Sequence, residues 1–490
     1  VQLVTDSPFT KFVTFFFPIH RNERKKFLLM TFLMFSILYI YSTLRAIRDS
    51  IIVPELGSIY LTFIDLYFVG PISILFSILY AKLTNSVRRE YIFYFIIGFY
   101  FIAINLFGFV FYPNIEYFHM SDETINQISD QSPNFKFFVV LIGKWCFTFW
   151  GVLVEMWMPI TFILLFWQFA NHVISSDQAR RFYPTFGILG NFSHIFSGQV
   201  IKITSKSLST IAFIHFNMFL MSGFMIAMVG MFYLVNRHVS VIYHNKIDMT
   251  SKLKLPIKES IKVILSSKYL LYVFTMIVGY GVINNILEIQ WKSKLNQLYT
   301  DTNQYAHFMG NFSIMSGVTL IILSIVSSNV VRRAKWRTAA KIPAFIALLA
   351  CLTFYPLNVF EEYISPTLTV YISSYLHLLC IVSTASILMM KCSKFTFFDN
   401  TREMVYIPLE PELKVKGKAV VDLLGSKFTI AGGSFLQSSI IMLFPMINQK
   451  LYSGILGCFS LVMAILWLTA INKLNKEYNS LLIKKINNSM

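Results

Sequence analysis

Six ionisable side chains stand where an apolar chain has little reason to keep them: Arg45, Arg48 and Asp49 in one short stretch, Glu155 in a long hydrophobic run, and Glu288 with Lys292 further on. Guanidinium and ammonium groups that converge on one point bind phosphate oxygens, Arg through a planar fork and Lys as a point charge. Carboxylates beside them neutralise the cations when no anion is bound. Tyr41, Arg45, Arg48 and Asp49 recur at helical spacings on one stripe, and Asp49, one turn from Arg45, is placed to neutralise it in part. Arginines at the end of a membrane span also snorkel to headgroups, so the stripe reads either as an anion clamp or as an interfacial anchor.

A second stripe is formed by Asn284, Glu288 and Lys292, which recur every four residues on an otherwise apolar helix and must face protein or water. Its structural reading is a simple Glu288–Lys292 pair one turn apart; its functional reading is a carboxylate that holds a cation until substrate arrives. Lys144 and Glu155 share a face but stand about 16 Å apart by helical rise, so each needs a partner from another helix or from a ligand. Lys418 and Asp422 enter an apolar span behind a charged run containing Arg402, Tyr406, Lys414 and Lys416. Lys418 joins the substrate-binding candidates. Asp49, Lys144, Asn284, Arg402, Tyr406 and Asp422 are candidates for gating or support. Asp65 and His377 read as helix–helix contacts, the usual role of a lone polar residue in a bundle.

These residues need a bilayer protein to position them. The 490-residue chain is 56% hydrophobic and 17% aromatic, with mean hydropathy +0.61, more apolar surface than a soluble fold of this size can enclose. Stretches of about 20 apolar residues fall at about 27–44, 58–81, 91–112, 137–174, 182–203, 209–235, 269–290, 306–329, 342–358, 366–390, 418–446 and 452–472. The fourth is long enough for one helix bent at Pro159 or for two. The expectation is an all-α membrane protein of about twelve transmembrane helices in two six-helix halves: an interfacial N-terminus (1–26), a first bundle (27–235), a basic linker (236–268), a second bundle (269–472) and a cytoplasmic tail (473–490). The basic corners Ser86 to Arg89 and Val331 to Arg337 recur at equivalent places in the halves, as parallel transporter repeats would have them.

The formal charge of +18 is mostly topology. With both termini cytoplasmic, most of the 42 Lys and Arg fall on inner segments, whereas Asn114 to Phe135 carries Glu116, Asp122, Glu123 and Asp130 without a cation, as an external loop does. That distribution argues against a nucleic-acid partner. Cys146, Cys351, Cys380, Cys392 and Cys458 lack metal or disulfide spacing, and no nucleotide-hydrolysing P-loop, HExxH or GxSxG occurs, so neither enzyme nor cofactor is expected. Phe9 to Phe17 is too short for a cleavable signal and reads as a helix lying on the inner surface. A proton-coupled facilitator for another anionic solute, with Glu155 or Glu288 as proton carrier, is the alternative from the residues alone.

Several motifs in order carry a resemblance: Leu44-Arg45-Ala46-Ile47-Arg48-Asp49, Glu155-Met156-Trp157, Leu165-Phe166-Trp167, Arg181-Phe182-Tyr183-Pro184, Glu288 to Lys294, and Tyr406-Ile407-Pro408-Leu409 to Lys416-Gly417-Lys418-Ala419. Together they are similar to the ATP/ADP translocase family of obligate intracellular bacteria and plastids. The resemblance implies a major-facilitator-like fold in the bacterial inner membrane, working as a monomer that exchanges nucleoside di- and triphosphates, with phosphate as a further partner. It also implies that the family's charged site residues fall on Arg48, Glu155, Glu288 and Lys418. Relatives often have Lys where Arg48 stands and Lys where Arg402 stands, which leaves the base carried open among adenine, guanine and pyrimidine nucleotides.

Overall fold

Apolar runs with no interior signal to stop become long rods, and in the computed structural model, which describes residues 19–20, 23–240, 267–361 and 374–489, twelve of them follow one another. They are α1 Arg24–Leu56, α2 59–86, α3 Arg89–Phe111, α4 Trp145–Val173, α5 Ser176–Ser207, α6 Thr210–Ser240, α7 Lys268–Leu298, α8 Thr302–Arg333, α9 Trp336–Val359, α10 Tyr375–Val405, α11 Pro411–Leu443 and α12 Gln449–Ser489. Ten are long and apolar enough to cross a bilayer among the described residues. The other two are α5 and α11; α5 is polar along one face because that face, with Ser193, Ser197 and Ser205 buried, meets protein. No strand occurs among the described residues.

Local chemistry sets the ends. Ser175 and Gln178 form a reciprocal capping box at the start of α5, and Asp301 accepts from the backbone N–H groups of Asn303 and Gln304 at 2.9 and 3.1 Å to start α8. Gly57, at φ 104°, turns α1 into α2 while its N–H closes onto the Val53 carbonyl at 2.9 Å, a backbone conformation that a side chain resists.

Of the two readings of the fourth apolar stretch the structure follows the second, two helices, although they part at Lys144. The helix breaks at Lys144 (φ −103°, ψ 46°), and Pro159 sits inside a widened, π-type segment, Met158–Phe166. Proline has no N–H to return to the carbonyl four residues back, and here that carbonyl belongs to Glu155. Asn114 to Phe135 is likewise a folded cap, not an open loop, with short helices at Ile115–Phe118 and Asp122–Gln131 before Lys136–Gly143. Lys144 is held there by Asp122 at 3.0 Å. The loop expected around Arg402 is helical to Val405, and α12 runs unbroken through the tail. The surface helix expected at Phe9 to Phe17 and most of the basic linker lie outside the described residues.

At the end where the chain enters α1, Glu23 is clamped by Arg181 of α5 at 2.6 and 2.9 Å and by Gln178 at 3.0 Å, while Lys26 donates to the Gln178 side chain at 2.9 Å. The hydrogen bond from Arg181, above all, holds the Glu23 carboxyl down to about 2, against its ordinary 4.5. A depressed folded-state value stabilises above the unfolded value and is lost as pH falls, so this contribution should be complete above pH 4.5 and disappear towards pH 2. Thermal unfolding in detergent should therefore separate wild type from Glu23→Gln at pH 6 and bring the two together towards pH 2 to 3.

The two halves meet chiefly at the opposite end, termed the far end. There α5 and α8 touch backbone to backbone: a Cβ on Gly198 would come within 2.5 Å of the Gly310 carbonyl oxygen, and one on Gly310 within 2.9 Å of the Gly198 carbonyl oxygen. Asn303 donates to the Leu208 carbonyl at 2.8 Å, and Tyr67 of α2 reaches Met442 of α11 at 3.7 Å. Beneath them Ser197 donates to Ser42 at 2.7 Å, and Ser42 to Ser313 at 3.4 Å, so α5, α1 and α8 are laced together.

Candidate substrate site

At the level of that junction the charges converge. Arg45 Nη2 of α1 meets Glu288 Oε1 of α7 at 2.6 Å, and its Nη1 donates to the Tyr41 hydroxyl at 2.7 Å. Arg48 takes Asp49 Oδ1 through Nη2 at 2.7 Å and Nε at 3.0 Å, and pairs with Glu155 of α4 through Nη1. Lys292 Nζ of α7 lies 2.8 Å from Asp49 Oδ2 and 3.1 Å from Glu288 Oε1. Lys391 of α10 completes the set at 3.0 Å from the same Glu288 oxygen. The contributing rods are α1, α4, α7 and α10, the first and fourth of each half.

Two of these pairs cross between the halves with opposite polarity. Arg45 of the first half holds Glu288 of the second, while Lys292 of the second holds Asp49 of the first. Charges removed from water to this degree are tolerable only when paired, and removing one partner strands the other. The partial neutralisation of Arg45 by Asp49 acts only at a distance: Asp49 pairs directly with Arg48 and Lys292, and Glu288 approaches Arg45 from the facing rod. The interfacial-anchor reading fails for Arg48, whose side chain is 3% exposed.

Exposure divides the cluster into a base and a rim. Arg48, Asp49 and Lys292 are at most 3% exposed, whereas Arg45 and Glu155 are each 27% and Lys391 21% exposed. Their chain neighbours, Leu44, Ala46, Val154, Met156, Met390 and Cys392, are buried, so a recess reaches the three side chains themselves. One turn further from the far end, Tyr41, Asn284 and Lys394 are still partly exposed; on the far side Ile52, Val53, Trp291 and Ile387 are closed off. The recess therefore opens towards the end where the termini lie.

The remaining candidates are dispersed. Asn284 receives the Tyr280 hydroxyl at 3.5 Å, one turn below Glu288 on the same stripe. Lys144 belongs to the far-end cap and not to the cluster. Lys418 pairs with Glu403, near the termini end, its ammonium 5.6 Å from the centre of the Tyr406 ring. The structure does not bring it to the cluster. Arg402 stands by Asp399 at 3.7 Å and Glu403 at 3.5 Å, and the Asp422 side chain lies outside the described ones.

Sequence reasoning missed Lys391. A hydropathy window ends a span where charge begins, so the tenth apolar stretch stops at residue 390 and leaves Lys391 in a loop, whereas α10 runs to Val405. The same boundaries put Arg45, Arg48 and Lys292 in connections on the opposite side, although the structure joins all four cations. Asp65, read as a helix contact, sits in the π-type segment Ile64–Val69 of α2 within electrostatic range of Glu155, Arg48 and Lys292.

Two opposed six-helix halves around a buried ion-paired centre, with a recess open at one end, define a major-facilitator-like secondary transporter. Solved structures agree on the fold: a bacterial homologue of the iron transporter ferroportin superposes with a TM-score of 0.59 at 15% identity, covering 93% of this chain and 100% of that one. A POT family transporter gives 0.53 at 12% identity, over 92% and 96%. The model of the TLC ATP/ADP transporter family matches residues 4–478, and the chain belongs to that family. It is 34% identical to ADP,ATP carrier protein 3 of Rickettsia bellii over 96% of this chain and 98% of that protein. With ADP,ATP carrier protein 4 of Rickettsia conorii it shares 33% identity over 97% and 96%.

Proposed function

We propose that this transporter exchanges nucleoside triphosphates for diphosphates across the bacterial inner membrane, with the termini and the open recess on the cytoplasmic side. The observation that carries the reading is that a single carboxylate oxygen, Glu288 Oε1, holds cations from three rods and both halves, the place a polyphosphate would take. The names of the Rickettsia relatives support adenine nucleotides as the first substrates to test.

Arg45 and Lys292 would receive phosphate oxygens as Glu288 yields them, while Arg48 stays seated between Asp49 and Glu155 and fixes the base of the site. Lys418, 38% exposed, would act earlier, drawing the anion to the mouth. A polyphosphate that replaces Glu288 on Arg45 removes one of the two crossed pairs between the halves. Binding is thereby coupled to their rocking, and hydrolysis is not needed.

Purified protein in liposomes loaded with ADP should take up labelled ATP, with uptake abolished when the vesicles are empty. A competition panel of ATP, ADP, GTP, GDP, CTP, UTP and phosphate then ranks the bases. Uptake that ignores internal nucleotide and stops when the pH gradient is collapsed would establish the proton-coupled alternative. The geometry weighs against that alternative, since Glu155 and Glu288 each already have a guanidinium as counter-charge.

A further inference from the structure

The cluster contains four cations, and they are not equally committed. Arg48 has two carboxylates. Lys292 has Asp49 as well as Glu288, and Arg45 has the Tyr41 hydroxyl as well as Glu288. Among the described residues Lys391 has Glu288 alone as an acidic partner, and its ammonium otherwise faces two ring planes, 5.9 Å from the centre of Trp291 and 5.6 Å from that of Phe312. A cation gains less from ring faces than from a charge-assisted bond to a phosphate oxygen. Lys391 is also on the rim and carries its charge on a flexible stem. Of the cations around Glu288 it is the one most cheaply handed to an anion entering from the recess.

Its position relative to Arg45 sets what it can reach. Both nitrogens bond Glu288 Oε1, at 2.6 and 3.0 Å, so they stand no more than about 5.6 Å apart, the sum of the two. One phosphate can occupy the Arg45 fork, and the next along a chain then falls to the lysine. We propose that Lys391 is a substrate-binding residue that reads the length and charge of the phosphate chain, leaving Glu288 to favour anions with more phosphates. This rests on the polyphosphate reading of the site and adds to it a specificity determinant from α10. A monophosphate satisfied at Arg45 makes little use of Lys391, whereas a triphosphate does.

Titration calorimetry of the purified protein with inorganic phosphate, pyrophosphate and tripolyphosphate tests this without any nucleotide. Wild type should bind more tightly along the series. In Lys391→Gln the tripolyphosphate Kd should rise about tenfold, the loss of one charge-assisted contact, and the phosphate Kd less than about threefold, flattening the series. Lys391→Arg should restore it. Lys391→Met, which keeps a stem against Trp291 and Phe312, replaces the Gln variant if that does not fold. Equal loss for all three anions, or none for any, overturns the assignment. A wild type that exchanges no nucleotide in liposomes would overturn the nucleotide reading, while the calorimetric series still decides whether Lys391 reads chain length.

Discussion

Glu288→Gln should bind nucleotide more tightly than wild type and yet exchange it about a hundredfold more slowly. The carboxylate competes with substrate for Arg45, Lys292 and Lys391 through one oxygen. An amide in its place does not call the cations back, so the bound anion keeps them. Charge-assisted bonds are worth about 1.5–3 kcal/mol each, and losing the competitor for even two of them accounts for a hundredfold or more in release. The effect belongs in the off-rate, because formation of the encounter complex changes little. Equilibrium binding in detergent and exchange in liposomes measure the two quantities separately. Wild-type exchange with unchanged affinity would show that Glu288 does not compete with substrate, and the proposed mechanism would fall.

Asp49→Asn should act on the fold. Asp49 is fully buried, binds Arg48 through two nitrogens and faces Lys292, and both of those cations are nearly inaccessible to water. Neutralising it leaves Arg48 with Glu155 only and Lys292 with a share of Glu288. Breaking a buried pair on one side costs about 3–5 kcal/mol, because the surviving charge has no water to return to. Pairing Asp49→Asn with Lys292→Gln removes part of that surplus charge and should recover more than half of the lost stability, the non-additivity expected of groups in direct contact. Denaturation of the four proteins in detergent completes the cycle. Additive losses would mean that the Asp49–Lys292 contact contributes nothing of its own.

Much of the architecture is legible in the amino-acid order because the bilayer imposes a local rule. A helix must satisfy its own backbone in lipid, so about 20 apolar residues in a row declare a span whatever they later touch. The same rule marks Glu155 and Glu288 as functional, since charge inside such spans costs about 2.5–3.5 kcal/mol per residue on insertion scales, while Arg45, Arg48 and Lys292 stand out only by their helical spacing just past the span ends. It fails at boundaries. A window meets the charge of Lys391 before it meets the continuation of α10 and so leaves that residue in a loop, and Lys144 reads as a site residue only if the helix is regular through what is in fact a break.

The order of residues by itself therefore determined that this is a polytopic helical membrane protein and that Glu155 and Glu288 are charges held within its spans. Only the tertiary structure decided who neutralises whom: Arg45 with Glu288 across 243 positions, Arg48 with Glu155 across 107, Lys292 with Asp49 and not Glu288 alone, and Lys418 with Glu403 away from the cluster. Helical periodicity says which face of a rod a side chain occupies, but an ion pair between rods depends on which faces meet. That is set by backbone approaches such as Gly198 against Gly310, where the absence of two side chains brings the halves close enough for opposite charges to touch.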